Sequence, residues 1–290
     1  MEELAHCPLC HATTFELKFE SRDYFLTKEQ FRVVTCSNCS LSFTNPRPKT
    51  TELGKYYKSD KYISHSNKAN NLTNLLYKFV RHLTIWQKYK LIKSSLKNPF
   101  NIDHLDYGCG TGHFINYTTQ KGWNSIGYEP DNTSYNHHNH LIFNDLNEIP
   151  EDQTFDVITL FHVLEHVAEL NETLHLLLSK LKPSGTLLLA LPNHKSADAV
   201  HYAEYWAGYD LPRHLYHFSQ ESISQLSIKY GIKIERKVPM LFDSFYVSIL
   251  SEKYRNSSFA FVKGILNGMR SNLKARRDMQ YSSLIYLLKR

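Results

Sequence analysis

The heptapeptide Asp106-Tyr-Gly-Cys-Gly-Thr-Gly112 constrains this chain more than any other feature. It grows out of His104-Leu-Asp-Tyr107, a short strand candidate, and opens a helix expected from about His113 to Lys121. Alternate glycines permit a tight turn and let the backbone approach a ligand without a Cβ clash. The helix that follows offers unpaired N–H groups and partial positive charge at its start. A strand, a glycine turn and a helix in that order predict the first crossover of a doubly wound sheet, where ligands bind beyond the carboxyl ends of the strands.

The downstream texture agrees. Ser125–Glu129 and Leu141–Asn144 read as short strands. Phe155–Phe161 and Thr186–Leu191 are nearly continuous apolar runs, as in strands buried on both faces. Asn171 is expected to cap a helix carrying Leu174, Leu177, Leu178 and Leu181, and Lys182-Pro-Ser-Gly185 to turn. Ser219 is expected to cap a helix to Tyr230, stopped by Gly231. Late strands are expected at 233–238 and 283–288. This rhythm predicts an α/β fold: a doubly wound, mostly parallel seven-stranded sheet.

The N-terminal end has a different chemistry. Four of the five cysteines form two pairs, Cys7-Pro-Leu-Cys10 and Cys36-Ser-Asn-Cys39, while Cys109 lies in the glycine loop. Two C-x-x-C knuckles offer four soft thiolates to one ion, which predicts a structural Zn2+ ribbon with no open coordination position. The expected organisation is a zinc ribbon over 1–48, a connecting region and amphipathic helix over 49–97, and the ligand-binding domain over 98–290. The helix is read from Leu75, Leu76, Phe79, Val80, Leu83 and Trp86, and ends before Asn98-Pro99.

No apolar run approaches the roughly 20 residues of a membrane helix. Met1-Glu-Glu-Leu lacks a signal peptide's basic start and apolar core, so a cytoplasmic location is expected. The net charge of +6 is concentrated between Leu72 and Lys97 and after Lys253. Such stretches are solvated helix faces, or they attract nucleic acid, anionic lipid or a phosphorylated substrate.

The dinucleotide fingerprint G-x-G-x-x-G is not met, because position 113 is His. The acid at 106 followed by G-x-G-x-G resembles motif I of class I methyltransferases, which bind S-adenosylmethionine. Its amino-acid end presents an ammonium and a carboxylate, which an acidic side chain and backbone N–H groups can serve together. The resemblance runs over about 190 residues and gives the sheet a Rossmann-like methyltransferase identity. It implies that Asp106, Gly108, Cys109, Gly110 and Gly112 form the cofactor loop and that Glu129 accepts hydrogen bonds from the ribose. It also implies that Asp145 meets the adenine amine with Leu146 beside the ring, and that His162 belongs to the cofactor side. Val163-Leu-Glu-His166 resembles ubiquinone-type O-methyltransferases.

Methyl transfer to oxygen or carbon needs alignment and often removal of a proton. Glu165 and His166 stand after the fourth strand. Pro212-Arg-His-Leu-Tyr-His-Phe-Ser219 is similar to a loop of zinc-bearing deoxysugar C-methyltransferases, whose proposed general base matches His214. Arg213 and His217 replace the Glu and Tyr of that loop. His214, His166 and Glu165 are therefore the candidate catalytic residues. Tyr202-Ala-Glu-Tyr-Trp206 suits either an aromatic lid or helix packing, and His137-His-Asn-His140 reads as a solvated helix.

The leading expectation is methyl transfer to an O or C atom of a small-molecule acceptor: a sugar, a lipid-linked compound or a secondary metabolite. One alternative is an RNA methyltransferase gripping phosphates with ribbon and basic tail, although no N-P-P-Y or D-P-P-Y signature follows the fourth strand. The other is a non-catalytic cofactor-binding module. Oligomeric state is not written in the sequence.

Overall fold

The computed structural model describes residues 1–57, 71–130 and 141–290, with side chains in the first helix from residue 81 onward. In chain order the strands and helices are β1 (Phe15–Arg22), β2 (Gln30–Cys36), β3 (Ser42–Thr44), α1 (Asn71–Ser95), β4 (Asp103–Tyr107), α2 (His113–Gln120), β5 (Asn124–Tyr128), β6 (Ile142–Phe143), β7 (Phe155–Phe161), α3 (Leu170–Ser179), β8 (Leu181–Pro192), α4 (Ala197–Tyr202), β9 (Tyr216–His217), α5 (Gln220–Lys229), β10 (Lys233–Pro239), α6 (Asp243–Tyr254), α7 (Ala260–Ala275) and β11 (Ser283–Lys289).

Seven strands form one sheet in the order β10-β11-β8-β7-β4-β5-β6. β4 pairs in parallel with both β5 and β7, so the order reverses at β4. That reversal puts the glycine turn at the topological switch point. β10 and β11 pair antiparallel at one edge. The centre of the sheet is apolar: Leu105, Val157, Ile158, Leu160 and Leu187–Leu191 are all buried. Each such side chain contributes about 1.5–3 kcal/mol by leaving water.

A second, four-stranded sheet runs β1-β2-β3-β9. β1 and β2 make the hairpin between the two cysteine knuckles, and β3 pairs antiparallel with β9 through Ser42–His217 and Phe43–Tyr216. The ribbon thus extends its sheet with a strand from the Pro212–Ser219 segment.

The chain divides into two compact units. One comprises Met1–Tyr57, His162–Leu176 and Leu188–Arg290; the other comprises Lys58–Phe161 and Leu177–Leu187.

Two local expectations are corrected. Lys182–Gly185 is not a turn but the first part of β8. Asn171 is not a cap, because α3 already starts at Leu170; its amide donates to Pro8 O (2.6 Å) and its oxygen accepts from Lys229 Nζ (2.7 Å) and Tyr230 OH (2.7 Å). The paired helices α6 and α7 were not anticipated. Ser219 does cap α5, its hydroxyl accepting from Ser222 N, with Gly231 at φ +62° beyond the end. His137–His140 lies outside the described residues.

Candidate active site

The glycine loop is shaped by its neighbours within one unit. Gly108 N and Cys109 N both donate to Tyr128 O (2.7 and 3.1 Å), tying the turn to the end of β5. Gly108, Gly110 and Gly112 have φ of +77°, +52° and +75°, the left-handed region that glycine enters without a Cβ penalty. An added Cβ at Gly110 would meet no atom of the described residues within 4 Å, so among these residues the space over the loop is open. Gly110 N donates to Glu129 Oε2 (2.8 Å), which brings the β5-end carboxylate onto the loop. Asp145 is exposed and accepts from Asn147 N (2.9 Å), capping a short turn that begins at Leu146.

Asp106 is 4% exposed. Burial pushes its carboxyl up to about 6, against the pull of the Thr159 hydrogen bond and the Lys88 charge. A chain of polar side chains supports it from inside the sheet. Thr159 Oγ1 donates to Asp106 Oδ1 (2.6 Å), so the Thr159 oxygen accepts from His104 Nε2 (3.0 Å). His104 Nδ1 must then accept from Ser125 Oγ (3.1 Å), which lies 2.7 Å from Thr118 Oγ1. Burial lowers His104 to about 3, consistent with this neutral tautomer. His104 and Thr159 were missed in the sequence; the available signal was a polar residue inside each of two apolar strands. α1 brings two cations to this unit: Arg81 Nη1 donates to His113 Nε2 (2.7 Å), at the first residue of α2, and Lys88 Nζ sits 3.7 Å from the Phe161 ring centroid.

The other unit gathers the histidines. One ligand atom each from Glu165, His166 and His214 lie within 4.8 Å of one another. The His166 and His214 rings meet edge to face at 4.5 Å. His214 Nδ1 lies 2.9 Å from Gly208 O, and His166 Nδ1 lies 3.0 Å from Arg213 O. A carbonyl only accepts, so each Nδ1 carries a proton, and in the neutral ring it is Nε2 that bears the lone pair. Burial and the neighbouring His214 lower His166 to about 4.

Glu165 is fully buried, and neither carboxylate oxygen accepts an aligned hydrogen bond among the described residues. Its counter-charge is His162, whose Nδ1 stands 3.3 Å from Oε1 and whose Nε2 stands 3.2 Å from Asp243 Oδ2. Burial works to lower His162, but the two carboxylates outweigh it and raise it to about 10. Burial likewise works to raise Glu165, yet His162 holds it below the usual carboxylate range.

The ribbon holds the His214 segment in place. Thr44 N donates to Leu215 O (3.0 Å), and Thr44 Oγ1 donates to His214 O (3.0 Å). Arg213 is buried, with bonds to both Asp210 oxygens (2.9 and 2.7 Å), Asp23 Oδ1 (3.1 Å) and Tyr56 O (3.2 Å). The Arg at this position is therefore a clamp on the backbone just before His214. His217 is buried and lies 3.3 Å from Thr44 Oγ1 through Nε2. Of the two readings of 202–206, packing describes Tyr202 and Trp206: both sit in a core cluster with Phe31, Val33, Tyr56 and Tyr209.

The two knuckles have the same backbone. Cys7 N donates to Ala12 O and Cys36 N to Leu41 O, while His11 N returns to Cys7 O and Ser40 N to Cys36 O. His11 and Ser40 both have positive φ (62° and 60°). The four sulfurs lie within 4.8 Å of one another, with Cys7–Cys39 and Cys10–Cys36 at 3.5 Å. Disulfide sulfurs would be about 2 Å apart; thiolates around one tetrahedral ion at about 2.3 Å are separated much as here. The donor set fits zinc.

Residues 81–237, more than half of the chain, match the family described as Methyltransferase domain. A ubiquinone biosynthesis O-methyltransferase of Rickettsia prowazekii (strain Madrid E) is 27% identical over 184 residues, covering 58% of this chain and 70% of that protein. Its namesake from Rickettsia bellii (strain OSU 85-389) is 25% identical over 142 residues, 44% of this chain and 59% of that one. Among solved structures, the plantazolicin methyltransferase BpumL in complex with a pentazolic desmethylPZN analog and SAH superposes with a TM-score of 0.50 at 17% identity, covering 82% of this chain and 94% of that one. This last likeness concerns the fold.

Proposed function

The chain belongs to the methyltransferase-domain family and is a class I S-adenosylmethionine-dependent enzyme, and on that premise we propose that it methylates an O–H or C–H acid of a small molecule with His214 as general base. The convergence of His166 and His214 on the buried Glu165 carboxylate, which accepts no aligned hydrogen bond among the described residues, carries this reading.

When bound, the cofactor supplies an electrophilic methyl group on a sulfonium. Asp106 would meet its ammonium, and the N–H groups at the start of α2 its carboxylate, with Lys88 and Arg81 adding positive charge. Glu129 would accept from the ribose, and Asp145 would reach the adenine amine beside Leu146. The cradle over Gly110 that a Cβ would fill fits a ligand lying against the backbone.

On the acceptor side, the Gly208 carbonyl fixes the His214 tautomer, so Nε2 is ready to take a proton. An imidazolium formed there gains from the Glu165 carboxylate. His166, held neutral, is a positioning residue that packs against the His214 ring. His162 keeps Glu165 ionised. A phenolic, sugar or lipid-linked hydroxyl suits this base.

Cys7, Cys10, Cys36 and Cys39 would hold one structural Zn2+ in a ribbon over about residues 1–48. Zinc held there would stiffen β3 and through it the backbone of His214; elemental analysis should find one zinc per chain, and its absence would remove this assignment. Thiolate ligands suit a reducing compartment, and we place the enzyme in the cytoplasm.

The test is methyl transfer from labelled cofactor to a panel of phenols, sugars and polyprenyl-linked hydroxyls. His214→Ala should lower turnover about 100-fold or more with cofactor affinity unchanged. Wild-type turnover in that variant would dismiss the base.

A further inference from the structure

Helix α7 is inside out. Its buried residues are small (Gly264, Gly268, Ser271, Ala275) and its large apolar residues face water. Gly264 and Gly268 let α6 approach so closely that an added Cβ would stand 2.6 Å from Ile249 Cα and 2.9 Å from Phe245 Cα. The inner face is therefore satisfied by backbone-to-backbone packing, as at small-residue helix contacts. The outer face carries Phe261 (67% exposed), Val262, Ile265, Leu266, Met269 and Leu273. Phe259 before the helix, and Leu241, Phe242 and Tyr246 at the start of α6, are exposed too. A contiguous apolar face of this kind marks an interaction surface.

Charge identifies what covers it. Between Lys253 and Arg277 there are seven Lys and Arg residues and no Asp or Glu, and all seven are exposed. At about 100° per residue, Lys263, Arg270 and Lys274 follow one edge of the apolar face. Arg270 and Lys274 also line a cavity of about 80 Å³ with His201, Asn267 and Ser271, a cationic recess on the same edge. Among the described residues no helix is long and apolar enough to cross a bilayer.

We propose that the α6–α7 face docks in the plane of an anionic lipid bilayer, its apolar residues entering the interface and its basic edge meeting lipid phosphates. An apolar face flanked by cations is the arrangement of interfacial helices. A second copy of this chain would set the same seven cations against themselves, and RNA would leave the apolar face unburied. This surface stands on its own geometry, whichever acceptor the enzyme uses.

The experiment is flotation of the full chain with vesicles of equal parts phosphatidylglycerol and phosphatidylcholine, and with phosphatidylcholine alone. Partitioning should be at least about tenfold stronger into the anionic vesicles, and should weaken with salt. The exposed double variant Phe261→Ser/Leu266→Ser should lose roughly tenfold. Arg270→Glu/Lys274→Glu should lose at least as much. Unchanged circular dichroism and cofactor affinity in both variants would show that they fold. Equal partitioning into both vesicles, no partitioning, or an apolar variant that binds like wild type would overturn the proposal. So would a wild-type dimer that these variants render monomeric, or RNA binding that both variants abolish while vesicle partitioning stays at the wild-type level.

Discussion

Asp106 and Glu165 are both buried carboxyl groups at the ends of central strands, and their surroundings treat them oppositely. Asp106 sits on a chain of neutral donors, Thr159, His104 and Ser125, and burial drives it toward its protonated form. Glu165 has no such chain; the imidazolium of His162 keeps it ionised. Neutral donors support a carboxylate without neutralising it, and Lys88 acts on Asp106 through its charge rather than as a hydrogen-bond donor, so Asp106 keeps a negative charge that a ligand ammonium can meet. A resident cation does neutralise its partner, so Glu165 already has its counter-ion, and its remaining influence falls on the histidines beside it. The first arrangement leaves binding energy for a cationic ligand; the second holds a proton acceptor steady.

The sharpest way to break this comparison is to remove the resident cation. His162→Gln removes the cation shared by Asp243 and the buried Glu165, and should cost about 3 kcal/mol at neutral pH, read by urea unfolding. The pH dependence is more diagnostic than the magnitude. His162 has a folded pKa of about 10 against an ordinary 6.5. Its contribution is therefore fully present below pH 6.5 and lost as pH rises through about 10. The variant should lack that slope. If it keeps the wild-type slope and stability, Glu165 is neutralised by another group and the contrast with Asp106 fails.

Asp106→Asn tests the other half, with a smaller effect on stability and the opposite sign. The folded pKa of about 6 lies above the ordinary 3.8. Without ligand, the fold gains from the neutral acid below pH 3.8 and loses that gain as pH rises through about 6. An amide keeps the Thr159 hydrogen bond and never ionises, so the variant should be more stable at neutral pH by on the order of 2 kcal/mol. Affinity for S-adenosylmethionine should fall roughly 10- to 100-fold, the cost of a lost charge-assisted hydrogen bond. Wild-type affinity should itself decline below pH about 6, and this decline should vanish in the variant. Calorimetric titration across pH measures both. A destabilised variant, or one with full affinity, would show that Asp106 is structural.

The same contrast explains what could be read from the chain. β4, β5 and β7 were legible because apolar runs next to a glycine turn have few other folds, and the cysteine knuckles because four thiols at that spacing have one common use. Glu165, His166 and His214 could be named, but not their assembly, which depends on the Thr44 and Arg213 contacts from distant segments. The His104–Thr159 relay is a pairing across two strands and has no local pattern. α6 and α7 escaped because a helix is recognised by large apolar residues facing inward, and here the buried positions of α7 are Gly264, Gly268, Ser271 and Ala275. Asn171 has the composition of a cap, yet its amide is committed to Pro8 and Lys229, so tertiary partners overrode the local preference.

The smallest perturbation separates space from strain in the glycine loop. Gly110→Ala introduces a Cβ that meets no atom of the described residues within 4 Å, but at φ +52°. The left-handed conformation costs a non-glycine residue about 1–2 kcal/mol, so thermal unfolding should shift by only a few degrees. Gly127 is the matched control. Its Cβ would stand 2.2 Å from Ile115 Cδ1 and 2.5 Å from Cys109 Sγ, with no positive φ to strain. If the open space above Gly110 is where the cofactor lies, Gly110→Ala should lose more affinity for S-adenosylmethionine than its stability loss accounts for. Gly127→Ala, which crowds the loop from beneath, should lose stability and affinity together. Equal ratios of the two losses would place the ligand away from Gly110 and leave the loop's positive φ values as a requirement of the turn alone.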